Sequence, residues 1–97
     1  MRTVKFFKRD FAEDLNGHGS SVWLFELGPD NFATKQLEIY EDGTVFAYDA
    51  EHDHDQFGML ADQPFDLEEF ASFEISPVEF DTSWASARPV NRPANPS

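Results

Sequence analysis

Alternating apolar and polar residues along the first half of the chain predict β-strands. The segment "RTVKFFKRD" predicts a first strand with Phe6 and Phe7 on opposite faces. The segment "SVWLFEL" predicts a second strand, with Trp23, Phe25 and Leu27 together on one side. Glycines and small polar residues separate the two segments, which is typical of a loop.

The clearest local signal is the segment "KQLEIYEDGTVFAYDA", in which two alternating runs flank Asp42 and Gly43. This dipeptide predicts a two-residue hairpin turn, because both turn positions need positive φ and Asp and Gly tolerate it. Such a turn pairs Ile39 with Phe46. The face expected to join the core carries Leu37, Ile39, Phe46 and Tyr48. The opposite face carries Glu38, Tyr40, Val45 and Ala47.

Two capping signals predict short helices near the C-terminus. Asp66 is followed three residues later by Glu69, the spacing of a capping box. Ser76 precedes Pro77, which suits the first position of a helix. In the second helix, a four-residue interval predicts that one face carries Phe80 and Trp84.

These elements predict an α+β fold, with an antiparallel sheet of about four strands and two short C-terminal helices packed on one face. A chain of 97 residues has the length of one domain. We expect a single compact domain over residues 1–85 and a Pro-rich flexible tail over residues 86–97.

Acidic residues dominate the chain, and their distribution is uneven. The formal net charge is -12 at pH 7, and four of the seven basic residues lie within the first nine positions. Between Gln36 and Ala87 there is no Lys or Arg, whereas fourteen of the 19 acidic residues fall there. A field of this sign repels nucleic acid and anionic lipid and attracts basic proteins or cations. We therefore expect a basic protein partner and no direct binding of nucleic acid.

The residue types present narrow the class of protein further. No cysteine occurs, which excludes a disulfide framework and a cysteine-ligated zinc site. No apolar run approaches the length of a membrane span, and charged residues follow the basic N-terminus where a signal peptide has an apolar core. No nucleophile and base stand in a pattern that indicates catalysis. We expect a cytoplasmic, non-enzymatic protein that uses no cofactor and binds no membrane.

Three runs, "FELGPDNFATKQLEIYEDG", "GMLADQP" and "ISPVEFDTSW", resemble a family of small bacterial domains that carries an unknown-function label. The resemblance covers about residues 22–87. Its matching positions are Glu26, Glu38, Asp42, Gly43, Leu60, Pro64, Ile75, Glu79, Phe80 and Trp84. It implies a strand-rich fold with a closing helix, and none of these positions is a catalytic signature. Domains of this size often serve as immunity partners of bacterial toxins, which is an association by type only.

The segment "AYDAEHDHDQFGML" places His52 and His54 among four acidic residues. In an extended segment both imidazole rings could point the same way, with Asp49 or Asp55 as an oxygen ligand for zinc or nickel. The spacing lacks the four-residue interval of a helical metal pair, and the resembling family is richer in Gly and small polar residues here. A solvated loop or a contact surface is the alternative, and we expect no resident metal.

We predict an acidic protein-binding module of the immunity or inhibitor type. Its carboxylates would occlude the basic, nucleic-acid-binding site of a toxin or nuclease, with an exposed Tyr40 as the anchor. The predicted partner-binding residues are Glu38, Tyr40, Glu41, Asp42, Asp49, Glu51, Asp53 and Asp55.

Three alternatives stand beside this prediction. One is a small metal-binding or metal-sensing protein that uses His52 and His54. Another is a domain that associates with itself through an edge strand, and we expect a monomer or a weak homodimer. In the third, the charges serve only to keep a small domain soluble.

Overall fold

A computed structural model describes residues 4–14 and 17–91. The strands are β1 (Lys5–Phe11), β2 (Ser21–Leu27), β3 (Ala33–Tyr40), β4 (Val45–Asp49), β5 (His54–Asp55), β6 (Gly58–Met59) and β7 (Glu74–Ile75). The helices are α1 (Leu67–Phe70), which continues as a 3-10 turn over Ala71–Phe73, and α2 (Pro77–Ser86).

Five of the strands form one sheet in the order β4, β3, β2, β1, β7, in which every neighbouring pair is antiparallel. Strands β5 and β6 form a separate hairpin. The α+β class is therefore confirmed. The main sheet has five strands where about four were predicted, because the two residues of β7 pair with β1, with Phe6 opposite Ile75.

The two faces of the sheet carry separate apolar clusters. On the face that we call the α2 face, the buried residues are Phe6, Leu24, Leu37, Ala47 and the Phe80 side chain of α2. On the opposite face, which we call the hairpin face, Phe7, Phe25, Leu27 and Ala33 pack against Leu60, Phe65, Leu67 and Phe70. The prediction that both helices pack on one face is wrong, because α2 contributes to the first cluster and α1 to the second. Consecutive strand residues point to opposite faces, so each face of the sheet has its own cluster.

Both helices begin where the capping signals predicted. The Asp66 carboxylate accepts hydrogen bonds from the backbone N–H groups of Glu68 and Glu69 at the start of α1. Ser76 caps α2 in the same way, with its Oγ 3.1 Å from the backbone nitrogen of Glu79. In the described part of the chain, no helix combines the length and apolar character needed to cross a bilayer.

The β3–β4 hairpin has a different register from the predicted one. The backbone N–H of Tyr40 donates to the carbonyl of Thr44, so the turn contains three residues and Gly43 adopts a φ of +92°. The additional turn residue shifts the pairing by one position, and Ile39 lies opposite Val45. The α2 face of the hairpin therefore carries Leu37, Ile39, Val45 and Ala47. On the opposite side of the sheet, the hairpin face, strands β3 and β4 carry Gln36, Glu38, Tyr40, Phe46 and Tyr48.

The chain beyond α2 does not leave the domain at once, although a flexible tail was predicted from residue 86. The backbone N–H of Val90 donates to the carbonyl of Val45 over 2.8 Å. The Asn91 side chain bonds both backbone groups of Ala47. Residues 87–91 thus pack beside β4. The remainder of the predicted tail, residues 92–97, lies outside the described residues.

Phe80→Ala should destabilise the fold by roughly 3–5 kcal/mol, because this side chain is fully buried and its removal leaves a cavity. Val78→Ala on the same helix is the matched control, since Val78 is 73% exposed and should change stability by less than about 0.5 kcal/mol. Urea denaturation followed by circular dichroism measures both values. Equal losses in the two variants would contradict the assignment of the α2 core contact.

Candidate functional site

Glu38 and Tyr40 lie inside the molecule, contrary to the prediction of an exposed Tyr40 in a contact surface. Each residue is only 5% exposed. The Tyr40 hydroxyl donates to Glu38 Oε1 over 2.5 Å, and Gln36 Nε2 donates to Glu38 Oε2 over 2.7 Å. The three residues are two positions apart along β3, so they share the hairpin face. They form a buried polar row, so Glu38 and Tyr40 are not available as surface contacts.

The environment of Glu38 favours its neutral form. Burial raises the pKa of the Glu38 carboxyl above its ordinary value of 4.5, because water that would stabilise the carboxylate is excluded. The hydrogen bonds from Tyr40 and Gln36 oppose this rise, and the negative charge of Asp55 adds to it. Ionisation of Glu38 therefore works against the folded state.

Asp55 accepts hydrogen bonds from four separate groups. Its Oδ1 accepts from the Tyr48 hydroxyl over 3.0 Å and from the backbone N–H of Phe57 over 2.8 Å. Its Oδ2 lies 2.8 Å from His52 Nε2 and accepts from Asn91 Nδ2 over 2.9 Å. Burial disfavours the charged carboxylate, but the donors outweigh burial and hold the pKa of Asp55 well below its usual range. Asp55 is thus a structural anchor as an ionised group.

The segment that covers the buried row is bonded directly to the sheet. Gln36 Nε2 donates to the carbonyl of Met59 over 3.1 Å, and Gln36 Oε1 accepts from the backbone N–H of Ala61 over 2.9 Å. Gly58 lies so close to Tyr48 that a Cβ at this position would be 3.1 Å from the hydroxyl oxygen. All buried side-chain nitrogen and oxygen atoms of the described residues have hydrogen-bond partners. The polar row is therefore fully satisfied.

Two more of the predicted contact residues hold the β3–β4 turn to the preceding loop. Asp42 accepts from the backbone N–H of Thr44 and lies 2.8 Å from His18 Nδ1, and these interactions lower the pKa of Asp42 to about 2. Glu41 Oε1 accepts from the backbone N–H and the hydroxyl of Ser20. Both carboxylates remain on the surface, but their positions are set by local structure.

Of the last three predicted contact residues, Asp49 ends β4 and the other two lie in the segment that follows it. Asp49 Oδ1 accepts from the backbone N–H groups of Glu51 and His52, both over 3.0 Å, so Asp49 shapes the turn. Glu51 is exposed. Asp53 is also exposed, and its Oδ1 lies 2.7 Å from His54 Nδ1. Glu51 and Asp53 are the predicted residues best placed to meet a partner.

The histidines do not gather into a metal-binding arrangement. Each ring nitrogen that makes a close polar contact lies beside a different carboxylate: His18 with Asp42, His52 with Asp55, and His54 with Asp53. Within residues 4–14 and 17–91, no three His, Asp or Glu side chains converge on one point that could hold a metal ion. The geometry of the described residues thus gives the zinc or nickel hypothesis no support.

A groove lies on the outer surface of the segment that covers the hairpin face. Two surface cavities of about 420 and 370 Å³ share the lining residues Ala61 and Asp62, and we call the two together the acidic groove. Its half-buried apolar lining residues are Leu60, Ala61, Phe65 and Phe70. Its exposed acidic lining residues are Asp53, Asp62, Asp66 and Glu69.

Charge in the acidic groove has one sign along most of its length. Neither Lys nor Arg lines either cavity. At one end, Arg9 of β1 reaches Glu69 with a distance of 2.8 Å between Nη1 and Oε2. Asp66 is used in part to cap α1. At the other end, Asp62 is exposed, and the Asp53 carboxylate contacts His54, which also lines this cavity.

Two large apolar side chains are exposed on the β5–β6 hairpin, and one of them, Met59, also lines the cavity at this end of the groove. Phe57 and Met59 are each 50% exposed. The Phe57 ring stacks on Phe46, with 5.0 Å between ring centroids, so its position is fixed by the sheet. Aromatic and methionine side chains are enriched at protein interfaces, and an exposed pair next to a groove is typical of a contact site.

Comparisons with protein-family models, with curated proteins and with solved structures find no match for this chain. The resemblance to a family of small bacterial domains therefore stays an expectation.

The sequence reasoning missed the residues that complete the buried row and the groove. Gln36 and Glu38 alternate with apolar residues in β3, and this pattern predicts that the face carrying Glu38 is exposed to solvent. Alternation of polar residues with Leu37 and Ile39 is typical of a strand with one solvated face, so it gave no signal that both faces of the sheet are covered. Asn91 has no local signal, because its partners are far away in the sequence.

Asp55→Asn should lower the free energy of unfolding by roughly 1–3 kcal/mol, because Nδ2 of the new amide would face the donors of Asn91 and His52. Asp53→Asn is the matched control two residues away, and its exposed side chain should contribute less than about 0.5 kcal/mol. Urea denaturation at neutral pH measures both. If the two variants are equally stable, Asp55 does not anchor the structure.

Glu38→Gln should flatten the pH dependence of stability. The folded protein keeps a proton on Glu38 that the unfolded chain has lost, so the free energy of unfolding falls as pH rises from 4.5 through the raised folded-state pKa. The variant has no such proton to lose, and its decrease over this range should be smaller. Denaturation curves across the acidic to neutral range provide the measurement, with exposed Glu68→Gln as control. Parallel curves for wild type and Glu38→Gln would contradict this origin of the pH dependence.

Proposed function

We propose that this protein is a non-enzymatic, acidic protein-binding module whose binding surface is the acidic groove together with Phe57 and Met59. The observation that carries the proposal is an apolar floor with four exposed acidic residues and no Lys or Arg in the lining. In such a surface, buried apolar contacts supply most of the affinity. The carboxylates select a positively charged partner and speed its encounter.

The partner that fits this chemistry is a basic protein, and the class we propose is the nucleic-acid-binding site of a toxin or nuclease. Lys and Arg side chains that contact phosphates also bind carboxylates, with charge-assisted hydrogen bonds. A net charge of -12 favours encounter with such a site and disfavours nucleic acid itself. The mechanism is occlusion, as for an immunity or inhibitor protein.

The proposed surface differs from the one that the sequence predicted. Asp53 remains part of it, because it is exposed and lines the acidic groove, whereas Glu51 is exposed but lines neither cavity. Met59 and Phe57 take the anchoring role that was assigned to Tyr40, since Tyr40 is buried and they are half exposed. The carboxylates of Asp49 and Asp55 accept hydrogen bonds from backbone N–H groups of the turns and so fix the segment that carries this surface.

A charge reversal in the groove tests the proposal. Tagged wild-type protein is used to recover partners from the native host at low and at high salt, and the recovered proteins are identified by mass spectrometry. We expect a basic partner that is lost at high salt. With that partner purified, Asp62→Lys should weaken binding by about tenfold, whereas Asp81→Lys on α2 should change it little.

The matched pair separates the groove from overall charge, because both reversals change the net charge equally and α2 lies on the opposite face of the sheet. Met59→Ala should also weaken binding, with exposed Val78→Ala as its control. Equal weakening by Asp62→Lys and Asp81→Lys would contradict the groove as the site. No stoichiometric partner at either salt would favour a purely solubilising role for the charges.

A further inference from the structure

The outer edge of β4 is covered by the chain beyond α2. β4 is the last strand of the sheet, so one side of its backbone faces away from β3. Asn91 takes the place of a neighbouring strand there: its Oδ1 accepts from the N–H of Ala47 over 3.0 Å, and its Nδ2 donates to the carbonyl of Ala47 over 3.0 Å. Two residues earlier on the strand, the carbonyl of Val45 accepts from the N–H of Val90 over 2.8 Å.

The turn after β4 covers the next outward-facing position of the strand. Asp49 and His52 exchange two backbone hydrogen bonds of 3.2 Å each. Asp55 connects this turn to the chain beyond α2, because its Oδ2 contacts both His52 Nε2 and Asn91 Nδ2. Three successive outward-facing positions of β4 are therefore bonded within one molecule: Val45, Ala47 and Asp49.

The strand under this cover is suited to pairing with another strand. Residues 45–48, "VFAY", contain no charged or proline residue, in a chain where about a quarter of the residues are charged. Unprotected edge strands of this type add further strands, and proteins usually guard them with charge, proline or a covering segment. Here the covering segment supplies the guard.

We propose that residues 88–91 form a strap that closes the outer edge of β4, and that the opened edge pairs with β4 of a second copy of this chain. Antiparallel pairing about a twofold axis centred at Phe46 would place Val45 opposite Ala47 of the other copy. The Asp49 carboxylates of the two copies would then be six positions apart, or about 20 Å. Asp49 of each copy would lie opposite Gly43 of the other copy, one position from Asp42, so like charges meet at both ends of the paired segment.

Salt should act on this association in the opposite direction from its effect on a basic partner. Two copies of a chain with a net charge of -12 repel each other, and salt screens this repulsion. Pairing through β4 therefore strengthens as salt rises, whereas binding of a basic protein to the acidic groove weakens. The experiments can therefore contradict the pairing of two copies without contradicting the binding of a basic protein to the acidic groove, and the reverse.

Asn91→Ala tests the strap, with Gln56→Ala as a matched truncation of an exposed amide. At low salt and low protein concentration, where the variant is monomeric, hydrogen exchange should show the Ala47 amide at least about tenfold less protected in Asn91→Ala, while the Leu37 amide of central β3 is unchanged. Sedimentation velocity should show a dimer whose fraction rises with protein concentration and with salt. Val90→Pro, which removes only the bond to Val45, should give a smaller shift towards dimer without disturbing Asp55.

Unchanged protection of Ala47 in monomeric Asn91→Ala, at low salt and low protein concentration, would overturn the strap. A deprotected Ala47 amide in a protein that remains monomeric at high salt and high concentration would overturn the pairing of two copies. If Asn91→Ala fails to fold, the Val90→Pro variant decides, since a folded and strictly monomeric Val90→Pro protein would also contradict the proposal.

Discussion

The hydrogen bonds to the Asp55 carboxylate hold together parts of the chain that strand pairing does not connect. They join Tyr48 of the sheet, the turn that contains His52, the tip of the β5–β6 hairpin and the side chain of Asn91. A partly buried carboxylate is stable as a charged group only when its oxygens are bonded, and loss of one donor leaves the others poorly paired. The cover of the hairpin face therefore depends on this one group, and so does the closed edge of β4.

The acidic residues of the chain consequently serve two different purposes. An inner set, which includes Asp55 and Asp49, accepts local and long-range hydrogen bonds that shape the covering segment. An outer set, which includes Asp53 and Asp62, lies on the surface that this segment presents. Because the inner set fixes the backbone, the segment that carries the outer carboxylates and Met59 is ordered before any partner arrives, and binding has less backbone to order. A rigid acidic surface of this kind suits the proposed occlusion of a basic site.

Local rules were sufficient for strands β1 to β4 and for both helix starts, because period-two alternation and the caps at Asp66 and Ser76 act within a few residues. They did not predict the two-residue strands β5, β6 and β7. They were insufficient for the β3–β4 register, since one additional turn residue exchanges the two faces of a hairpin. They also could not show that Glu38 is buried, because a strand covered on both faces can alternate like one that is half exposed. The role of Asn91 depends on Ala47, 44 residues away, and no pattern within a single segment encodes such a contact.

The most direct test of this account is an NMR titration that follows the side-chain carboxyl carbons of Asp55 and Glu38 in the folded protein. We expect the pKa of Asp55 to lie below its ordinary value of 3.8, because its donors outweigh its burial. We expect the pKa of Glu38 to lie above 4.5, because burial outweighs the bonds from Tyr40 and Gln36. Shifts in these opposite directions would establish the buried polar network on which the groove and the strap rest. Titration of both carboxyls at their ordinary values would contradict it.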